Sequence, residues 1–394
     1  MRGRYKIEKK TLCFVKGFSA KFLNYFLVCS FFMSSQLKLV GQDFPVEIKN
    51  DSATLNRIFG NKNNKKAKIT PLPYIGYLPE TRILGGIALL LTCRVSKDST
   101  LPFSYSELTF SYTQNNQAVL ENDIFFYIGR HFVLKGLFGY EKYPDRYWGV
   151  GSNTLKEAEE RFSSNRIFAN MAFLRRIKGH FYFGIKYRLV SMYNMQYLSG
   201  QHNLAEQEYK GSLSNGVGTA FIYDTRDNIL TPSKGAYFSV LNPHFGSLTG
   251  STHRFSSIEV DARKFVRLNS KQVLAFQMTG TFITGHPPFG MYALLGNDDD
   301  MRGYYKGRYR DKDYMCIQAE YRRYLFWRIG MAAFAGLGNV NNTVENLLTA
   351  VPKYTIGGGL RFKLNRKDNI NLRMDYAWGS FSNHGLYIFL SEAF

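Results

Sequence analysis

Short runs of strict alternation between apolar and polar residues recur from residue 79 to the end of the chain, and they constrain the fold more than any other feature. In the stretch 370–379, Ile370 and Leu372 share one face of an extended chain, while Arg373 and Asp375 lie on the other. Successive side chains of a β-strand point to opposite faces, so this pattern predicts half-exposed strands. A helix would give such a stretch no coherent apolar stripe.

About fifteen alternating runs follow one another between residues 82 and 394. Because bacterial outer-membrane barrels have an even number of strands, one strand is missing from this count or two are merged. We therefore predict an all-β fold, a transmembrane antiparallel β-barrel of 16 strands, with 14 strands as the alternative. The region 196–213 is where we expect a missed strand or a long loop.

The strands of a soluble β-sandwich also alternate, so the amino-acid composition of the two faces has to distinguish a sandwich from a membrane barrel. The apolar face carries many of the 33 Phe and 27 Tyr residues, whereas the other face is rich in Gly, Thr, Gln and charged residues. Aromatic side chains near strand ends are typical of the girdles at the two interfaces of a membrane. No apolar run reaches the ~18 residues of a membrane-spanning helix. The composition therefore favours a barrel with an apolar outside.

The net charge of +21 indicates an anionic partner. Outer-membrane phospholipid and lipopolysaccharide phosphates are the partners that fit a barrel. The stretch RGYYKGRYR, from Arg302 to Arg310, has the composition of a nucleic-acid tract, but it occurs once and in no nucleic-acid module, so we expect no nucleic-acid partner. No metal and no cofactor are predicted, since the sequence has no CxxC pair or Cys/His cluster.

The N-terminal segment predicts export. A basic stretch precedes the apolar run Phe22–Met33, and small or polar residues follow, so 1–41 is interpreted as a signal peptide, with an amphipathic or buried helix as the alternative. Residues 42–78 are interpreted as a flexible periplasmic leader, and 79–394 as the barrel. Of the cysteines outside the signal, Cys93 and Cys316 are expected as free thiols, with a disulfide as the alternative.

The last run, HGLYIFLSEAF, ends on an aromatic residue, which is a recurrent feature of outer-membrane barrels. Leu386, Ile388, Leu390 and Phe394 are expected on one apolar face that acts as an insertion signal at the periplasmic rim.

Two motifs resemble those of the BamA/TamA (bacterial surface antigen) family, over about residues 74–394. The first is the tripeptide Arg302-Gly303-Tyr304, which is similar to the Arg-Gly-Phe/Tyr hallmark of the sixth extracellular loop. The second lies in the stretch 218–240, between two mid-barrel strands. Its matching residues are Asp224, Arg226, Asp227, Asn228, Pro232 and Gly235.

The resemblance implies that the loop with Arg302 folds into the lumen, where its arginine pairs with acids on later strands. Alternation puts Glu320 on the polar face of the strand after the loop, so we expect an Arg302–Glu320 latch. A second acid is expected on the next strand, but the matching position there is Gly336, so Glu259 or Asp261 is the candidate substitute. A solvated external loop is the alternative.

The resemblance also implies a function in outer-membrane protein insertion or translocation. Because the expected leader is too short for a receptor domain, a barrel-only member that works with a separate periplasmic receptor or assembly subunits is expected. The alternative is a structural barrel, a small-solute pore or a surface antigen. The chain has no G-x-S-x-G or HExxH motif, and we expect no enzymatic activity.

Overall fold

The computed structural model describes residues 68–93, 95, 104–202, 204–228, 231–365, 370–390 and 392–394. Within these residues, sixteen antiparallel strands form a closed barrel in which consecutive wall strands pair and the first strand meets the last. The predicted fold class and the predicted count of sixteen are confirmed. The signal peptide predicted for 1–41 lies outside the described residues.

The wall strands are β1 (Lys68–Leu78), β2 (Arg82–Cys93), β3 (Ser104–Thr113), β4 (Ala118–Ile128), β5 (Phe132–Tyr147), β6 (Glu160–Lys178), β7 (Phe181–Gly200), β8 (Ser212–Asp224), β9 (Gly235–Phe245), β10 (Phe255–Asn269), β11 (Gln272–Gly285), β14 (Asp313–Phe326), β15 (Ile329–Asn341), β16 (Lys353–Asn365), β17 (Ile370–Gly379) and β18 (His384–Leu390). The connection between β11 and β14 carries a separate two-stranded sheet of β12 (Ala293–Leu295) and β13 (Tyr309–Asp311). Short 3-10 helices span Glu206–Lys210, Ser247–Thr249 and Phe289–Met291, and one α-helix, α1, spans Val344–Thr349. None of the described helices is long and apolar enough to span a membrane.

Residues that alternate in the sequence face alternately the lumen and the outer surface of the barrel. On β15, Ala332 and Phe334 are buried in the lumen, while Met331 before them and Leu337 after them are exposed. Large apolar side chains remain exposed around the outside of the wall, among them Ile185, Ile258, Phe276, Ile317, Tyr354 and Trp378. An exposed apolar surface of this extent needs a partner, and a belt around a barrel is the surface that lipid covers.

The sixteenth strand is β1, and it lies where we predicted a leader. The barrel begins at Lys68 rather than at residue 79, so the assignment of 42–78 as a flexible leader is wrong for its last part, and residues 42–67 lie outside the described residues. Pro71 and Pro73 interrupt the strand pattern here, because proline donates no main-chain hydrogen bond. The region 196–213 holds no extra strand among its described residues, since β7 continues to Gly200 and β8 begins at Ser212.

The two ends of the barrel differ. Two- and three-residue turns join β4 to β5, β6 to β7, β10 to β11 and β14 to β15, and we call this end the short-turn rim. Most of the longer connections lie at the other end, the long-loop rim, and they include residues 286–312 between β11 and β14. We call 286–312 the lumen loop, because it folds back into the barrel.

The expected common face of the last residues is present for Leu386 and Ile388 but not for Phe394. Leu386 and Ile388 lie on the side of β18 opposite the buried Tyr387, but the strand ends at Leu390. Phe394 lies beyond that end and is 3% exposed, in a buried cluster with Phe265 and Ala275. Its position on the apolar outer face was therefore predicted wrongly, since the alternation was extended past the point where the chain leaves the wall.

The outward face generates a first prediction. Replacing Ile185, which is 57% exposed on the outside of β7, with arginine should destabilise the barrel in lipid by about 2–4 kcal/mol, because the charge would face hydrocarbon. Leu248, which is fully exposed in the β9–β10 connection, is the matched control, and Leu248→Arg should change little. The measurement is the heat resistance of the folded band in unboiled gels. Equal stability of the two variants would show that the outer face of β7 is not in lipid.

Candidate functional site

The lumen loop brings its Arg-Gly-Tyr tripeptide into full burial. Arg302 and Tyr304 are both 0% exposed. Gly303 has a φ of +105°, and a side chain there would lie 3.1 Å from the main chain of Trp378, so glycine is required for the close approach to β17. The Gly303 N–H donates a hydrogen bond of 2.8 Å to the hydroxyl of Tyr387 on β18.

Arg302 is held by two carboxylates and one ring. Its Nη2 lies 2.5 Å from Glu320 Oε2 on β14, and its Nη1 lies 2.5 Å from Asp375 Oδ2 on β17. The guanidinium stacks over the ring of Phe334, 3.4 Å from its centroid. The structure thus brings the predicted partners Arg302 and Glu320 into contact, with an acid on each side of a fully buried cation.

The second acid is Asp375, and the candidates proposed from the sequence are wrong. Glu259 pairs with Arg188, and Asp261 lies 2.6 Å from Arg263. Next to Glu320 on β15 the register places Phe334 rather than an acid. The acid instead comes from β17, where alternation had already put Asp375 on the polar face.

Further ion pairs extend from these carboxylates along the wall. Arg322 Nε lies 2.7 Å from Glu320 Oε1, and Arg361 pairs with Asp375. Arg373 on β17 binds back to the loop, with 3.0 Å from its Nη2 to Asp298 Oδ2. We call the connected set the lumen charge network. Its members are Asp298, Arg302, Glu320, Arg322, Arg361, Arg373, Asp375 and Glu392.

The network is balanced, with four arginines and four acids. Burial lowers the pKa of the Arg302 guanidinium, but the charges of Glu320 and Asp375 outweigh burial, so its pKa is raised above the ordinary value. The loop cation therefore stays charged inside the barrel, and its stability depends on keeping both acids in place.

Tyr304 and its neighbours fix the loop main chain. The Tyr304 hydroxyl donates to the carbonyl of Tyr354 at 2.7 Å and accepts from the N–H of Ser380 at 2.7 Å. The hydroxyl of Thr355 donates to the carbonyl of Arg302. These bonds tie the tripeptide to β16 and to the β17–β18 connection at the long-loop rim.

The remainder of the loop contacts the β1–β2 connection, and then β5 and the β5–β6 connection across the lumen. The Lys306 N–H donates to Glu80 Oε1 at 2.6 Å, and the Tyr305 hydroxyl donates to Asp145 at 2.9 Å. Burial raises the pKa of Glu80 to about 7, while the hydrogen bond from Lys306 acts in the lowering direction. Arg308 donates to Thr154 Oγ1 at 2.8 Å. The loop is thus attached on both sides of the lumen.

The mid-barrel motif forms the β8–β9 turn at the short-turn rim. Arg226 Nη2 lies 2.7 Å from Asp224 Oδ2, and the guanidinium lies over the ring of Tyr237 at 4.5 Å. Asp227 accepts from the N–H of Ser233 at 2.9 Å. Side-chain acceptors of this kind replace main-chain partners in tight turns.

Three further motif residues complete that turn. Asn228 accepts from the N–H of Thr231 at 2.8 Å. Gly235 has a φ of +103°, and a side chain there would clash with the Thr225 carbonyl. The carbonyl of Pro232 lies 3.5 Å from Nη1 of Arg322, so the turn contacts one arginine of the lumen charge network. The motif does not meet the tripeptide directly.

A cavity of about 330 Å³ remains in the lumen, beside the loop. Its lining is of mixed charge and includes Glu141, Arg166, Arg188 and Glu259. Among the described residues, no group of three or more His, Cys, Asp or Glu side chains is arranged to hold a metal ion. Cys93 and Cys316 are both free thiols.

The sequence profile of the Omp85 superfamily domain matches residues 96–387. The fold is similar to BamA from Haemophilus ducreyi lacking POTRA domains 1–3, with a TM-score of 0.55 and 12% identity over 83% of this chain and 70% of that chain. It is also similar to CdiB from Acinetobacter baumannii, with a TM-score of 0.52 and 10% identity over 82% of this chain and 65% of that chain. A search of curated proteins gives no match.

A closed sixteen-stranded wall with an apolar outside and an arginine loop bound in the lumen defines an outer-membrane β-barrel. The chain belongs to the Omp85 superfamily. In outer-membrane barrels the short turns face the periplasm and the longer loops face outward, so the short-turn rim is the periplasmic one.

A second prediction concerns the loop arginine. Arg302→Ala should destabilise the folded barrel by about 3–5 kcal/mol, because Glu320 and Asp375 would lose a buried counter-charge. Glu320→Ala should also destabilise it, and the double variant should be less than additive, since each single change strands the partner's charge. The measurement is denaturant unfolding of the heat-modifiable band.

Arg161→Ala is the matched control, because the Arg161–Glu159 pair is exposed at the long-loop rim. That variant should cost about 1 kcal/mol or less. If Arg302→Ala behaves like Arg161→Ala, the buried ion pair does not hold the loop.

Proposed function

We propose that this barrel inserts or translocates outer-membrane proteins through the junction between its first and last strands. The observation that carries the proposal is the pairing of β1 with β18. In the described residues that junction has one registered pair, Tyr77 with Ile388. By contrast, β1 pairs with β2 along its whole length, from Lys68 opposite Thr92 to Leu78 opposite Arg82.

The short junction follows from the length of β18. Continuing the register from Tyr77 and Ile388 places Leu390, the end of β18, opposite Ile75. The stretch 68–74 of β1 therefore has no partner on that strand. Unpaired main-chain groups on a strand edge can template an incoming strand, which is the physical basis of β-augmentation.

The prolines of β1 agree with this interpretation. Pro71 and Pro73 lie within the stretch 68–74, and proline within a sheet is confined to edge strands, strand starts and bulges. A strand that is fully paired along only one of its sides loses fewer main-chain hydrogen bonds to proline than a strand paired on both sides. β1 therefore has the character of an edge strand although it belongs to a closed barrel.

The bound lumen loop directs a client to the junction. Arg302 is attached to β14 and β17, and across the lumen Tyr305 is attached to Asp145 of β5. A client segment would meet the β1 edge more readily than an open channel. No enzymatic activity is part of this proposal, and the Arg302–Glu320–Asp375 contact acts as a structural latch.

The proposal includes a separate periplasmic protein that delivers the client. It also includes export of the chain by a cleaved signal peptide, and contact of the apolar belt with outer-membrane phospholipid and lipopolysaccharide. Affinity purification in mild detergent tests the partner. We expect periplasmic assembly subunits to co-elute, and a barrel that elutes alone from native membranes would contradict this element.

A third prediction tests the junction. Tyr77→Cys with Ile388→Cys places two thiols at the registered pair, and oxidation should join β1 to β18. The purified barrel and its co-eluting partner are placed in liposomes. After oxidation, the rate of client folding should fall to that of liposomes that hold only the partner, and reduction should restore the rate. The measurement is the fraction of an added barrel client that becomes heat-resistant.

The matched control is Ile185→Cys with Thr219→Cys, a registered pair between the fully paired strands β7 and β8. Its oxidation should leave client folding unchanged. Undiminished activity of the oxidised β1–β18 pair would rule out the junction as the route.

The charged cavity of about 330 Å³ supports a second candidate, a small-solute pore. The attached loop argues against it, because a latched loop obstructs the lumen. In planar bilayers we therefore expect low conductance for the unaltered barrel and larger, fluctuating conductance for Arg302→Ala. Steady conductance that Arg302→Ala leaves unchanged would favour the pore over the insertion function.

A further inference from the structure

The last described residues, 392–394, leave the wall and enter the lumen at the short-turn rim. We call them the tail. Glu392 Oε2 lies 2.7 Å from Nε of Arg361, and Glu392 Oε1 accepts from Asn371 at 2.7 Å. Glu392 also lies 3.7 Å from Nε of Arg322. The tail therefore supplies one of the four acids of the lumen charge network.

The rest of the tail is packed as firmly. Ala393 is 1% exposed and Phe394 is 3% exposed, and they form a buried cluster with Phe265 and Ala275 of the opposite wall. The main-chain oxygen of Phe394 accepts from Nη2 of Arg322 at 2.7 Å, and the ring lies 5.4 Å from that guanidinium. An apolar contact and an ionic contact thus fix the tail independently.

Two arginines connect the tail to the loop. Arg322 binds both Glu320 and the tail, and Arg361 binds both Asp375 and Glu392. Glu320 and Asp375 are the two acids that hold Arg302. Each of these two arginines is therefore shared between the loop latch and the tail. A change in the latch alters the charge around the tail, and a change in the tail alters the charge around the latch.

The sign of this coupling follows from charge balance. Without Glu392, four arginines face three acids, so Arg322 and Arg361 compete with Arg302 for Glu320 and Asp375. Without Arg302, the two acids draw Arg322 and Arg361 away from the tail. Each element therefore stabilises the bound state of the other, as reciprocal linkage requires.

We propose that the tail is an internal strap that couples β18 to the lumen loop, so that withdrawal of the tail from the lumen weakens the Arg302 latch. The strap also limits β18, because a tail held inside cannot continue the strand along the free stretch 68–74 of β1. A change at the β1–β18 junction is thereby transmitted to the loop. The coupling is a property of the barrel itself and does not depend on the insertion function.

Cys316 provides a built-in reporter for the loop. Its thiol is 1% exposed and lies in the buried cluster with Met301 and Tyr304. With Cys13, Cys29 and Cys93 replaced by serine in the full chain, maleimide labelling of Cys316 in the detergent-folded barrel measures how often the loop lifts. Glu392→Gln should raise the labelling rate by about fivefold or more.

Glu345→Gln is the matched control, because Glu345 is exposed on α1 and outside the network. It should leave the labelling of Cys316 unchanged. Phe394→Ala removes the apolar half of the strap without altering charge, and it should raise the rate in the same direction as Glu392→Gln.

The reciprocal measurement places the reporter in the tail. Ala393→Cys, with Cys316→Ala added to the serine background, should label slowly, and Arg302→Ala should accelerate it by a factor similar to that seen at Cys316. Labelling is compared only among samples that keep the heat-modifiable folded band. Acceleration in both directions supports the strap. If Glu392→Gln and Phe394→Ala leave Cys316 as slow as Glu345→Gln does, or if Arg302→Ala leaves the tail reporter slow, the coupling is refuted.

Discussion

A fully buried arginine between two carboxylates is the interaction on which the interior of this barrel depends. Arg302 carries the lumen loop to Glu320 on β14 and Asp375 on β17, two strands that β15 and β16 separate in the wall. A buried ion pair contributes less to stability than its Coulomb energy suggests, because both charges lose water. It does, however, specify one arrangement, since any other position of the loop takes Arg302 away from both carboxylates and removes one positive charge from the lumen charge network. The latch therefore defines a single closed lumen.

The weak junction and the bound tail are two results of one feature, the early end of β18. Because β18 ends at Leu390, the stretch 68–74 of β1 has no partner on that side among the described residues, and Glu392 becomes available to the lumen. Within the described residues, the wall thus has its shortest strand pairing where its ends meet, and buried ion pairs where its loop is held. Such a distribution suits a wall that opens at one place while its interior remains in order.

The sequence predicted the class, the strand number and the contact between Arg302 and Glu320, because alternation is local and the tripeptide resembles a known loop. It did not predict β1, whose prolines interrupt the very pattern used to find strands. Asp375 is on the predicted face but has no role that the sequence assigns, since the inward fold of the loop against β14–β17 brings Arg302 to it. The inward position of Phe394 depends on where β18 ends, which alternation alone cannot determine.

Hydrogen–deuterium exchange along β1 in lipid nanodiscs is the most direct measurement of the central claim, that the barrel has an open strand edge at its junction. We expect amides in the stretch 68–74 that face the junction to exchange far faster than those of β8, which pairs on both sides. Amides near Tyr77 should be intermediate, because that residue has a partner on β18. Equal protection along β1 and β8 would show that the edge is covered, and it would contradict the account.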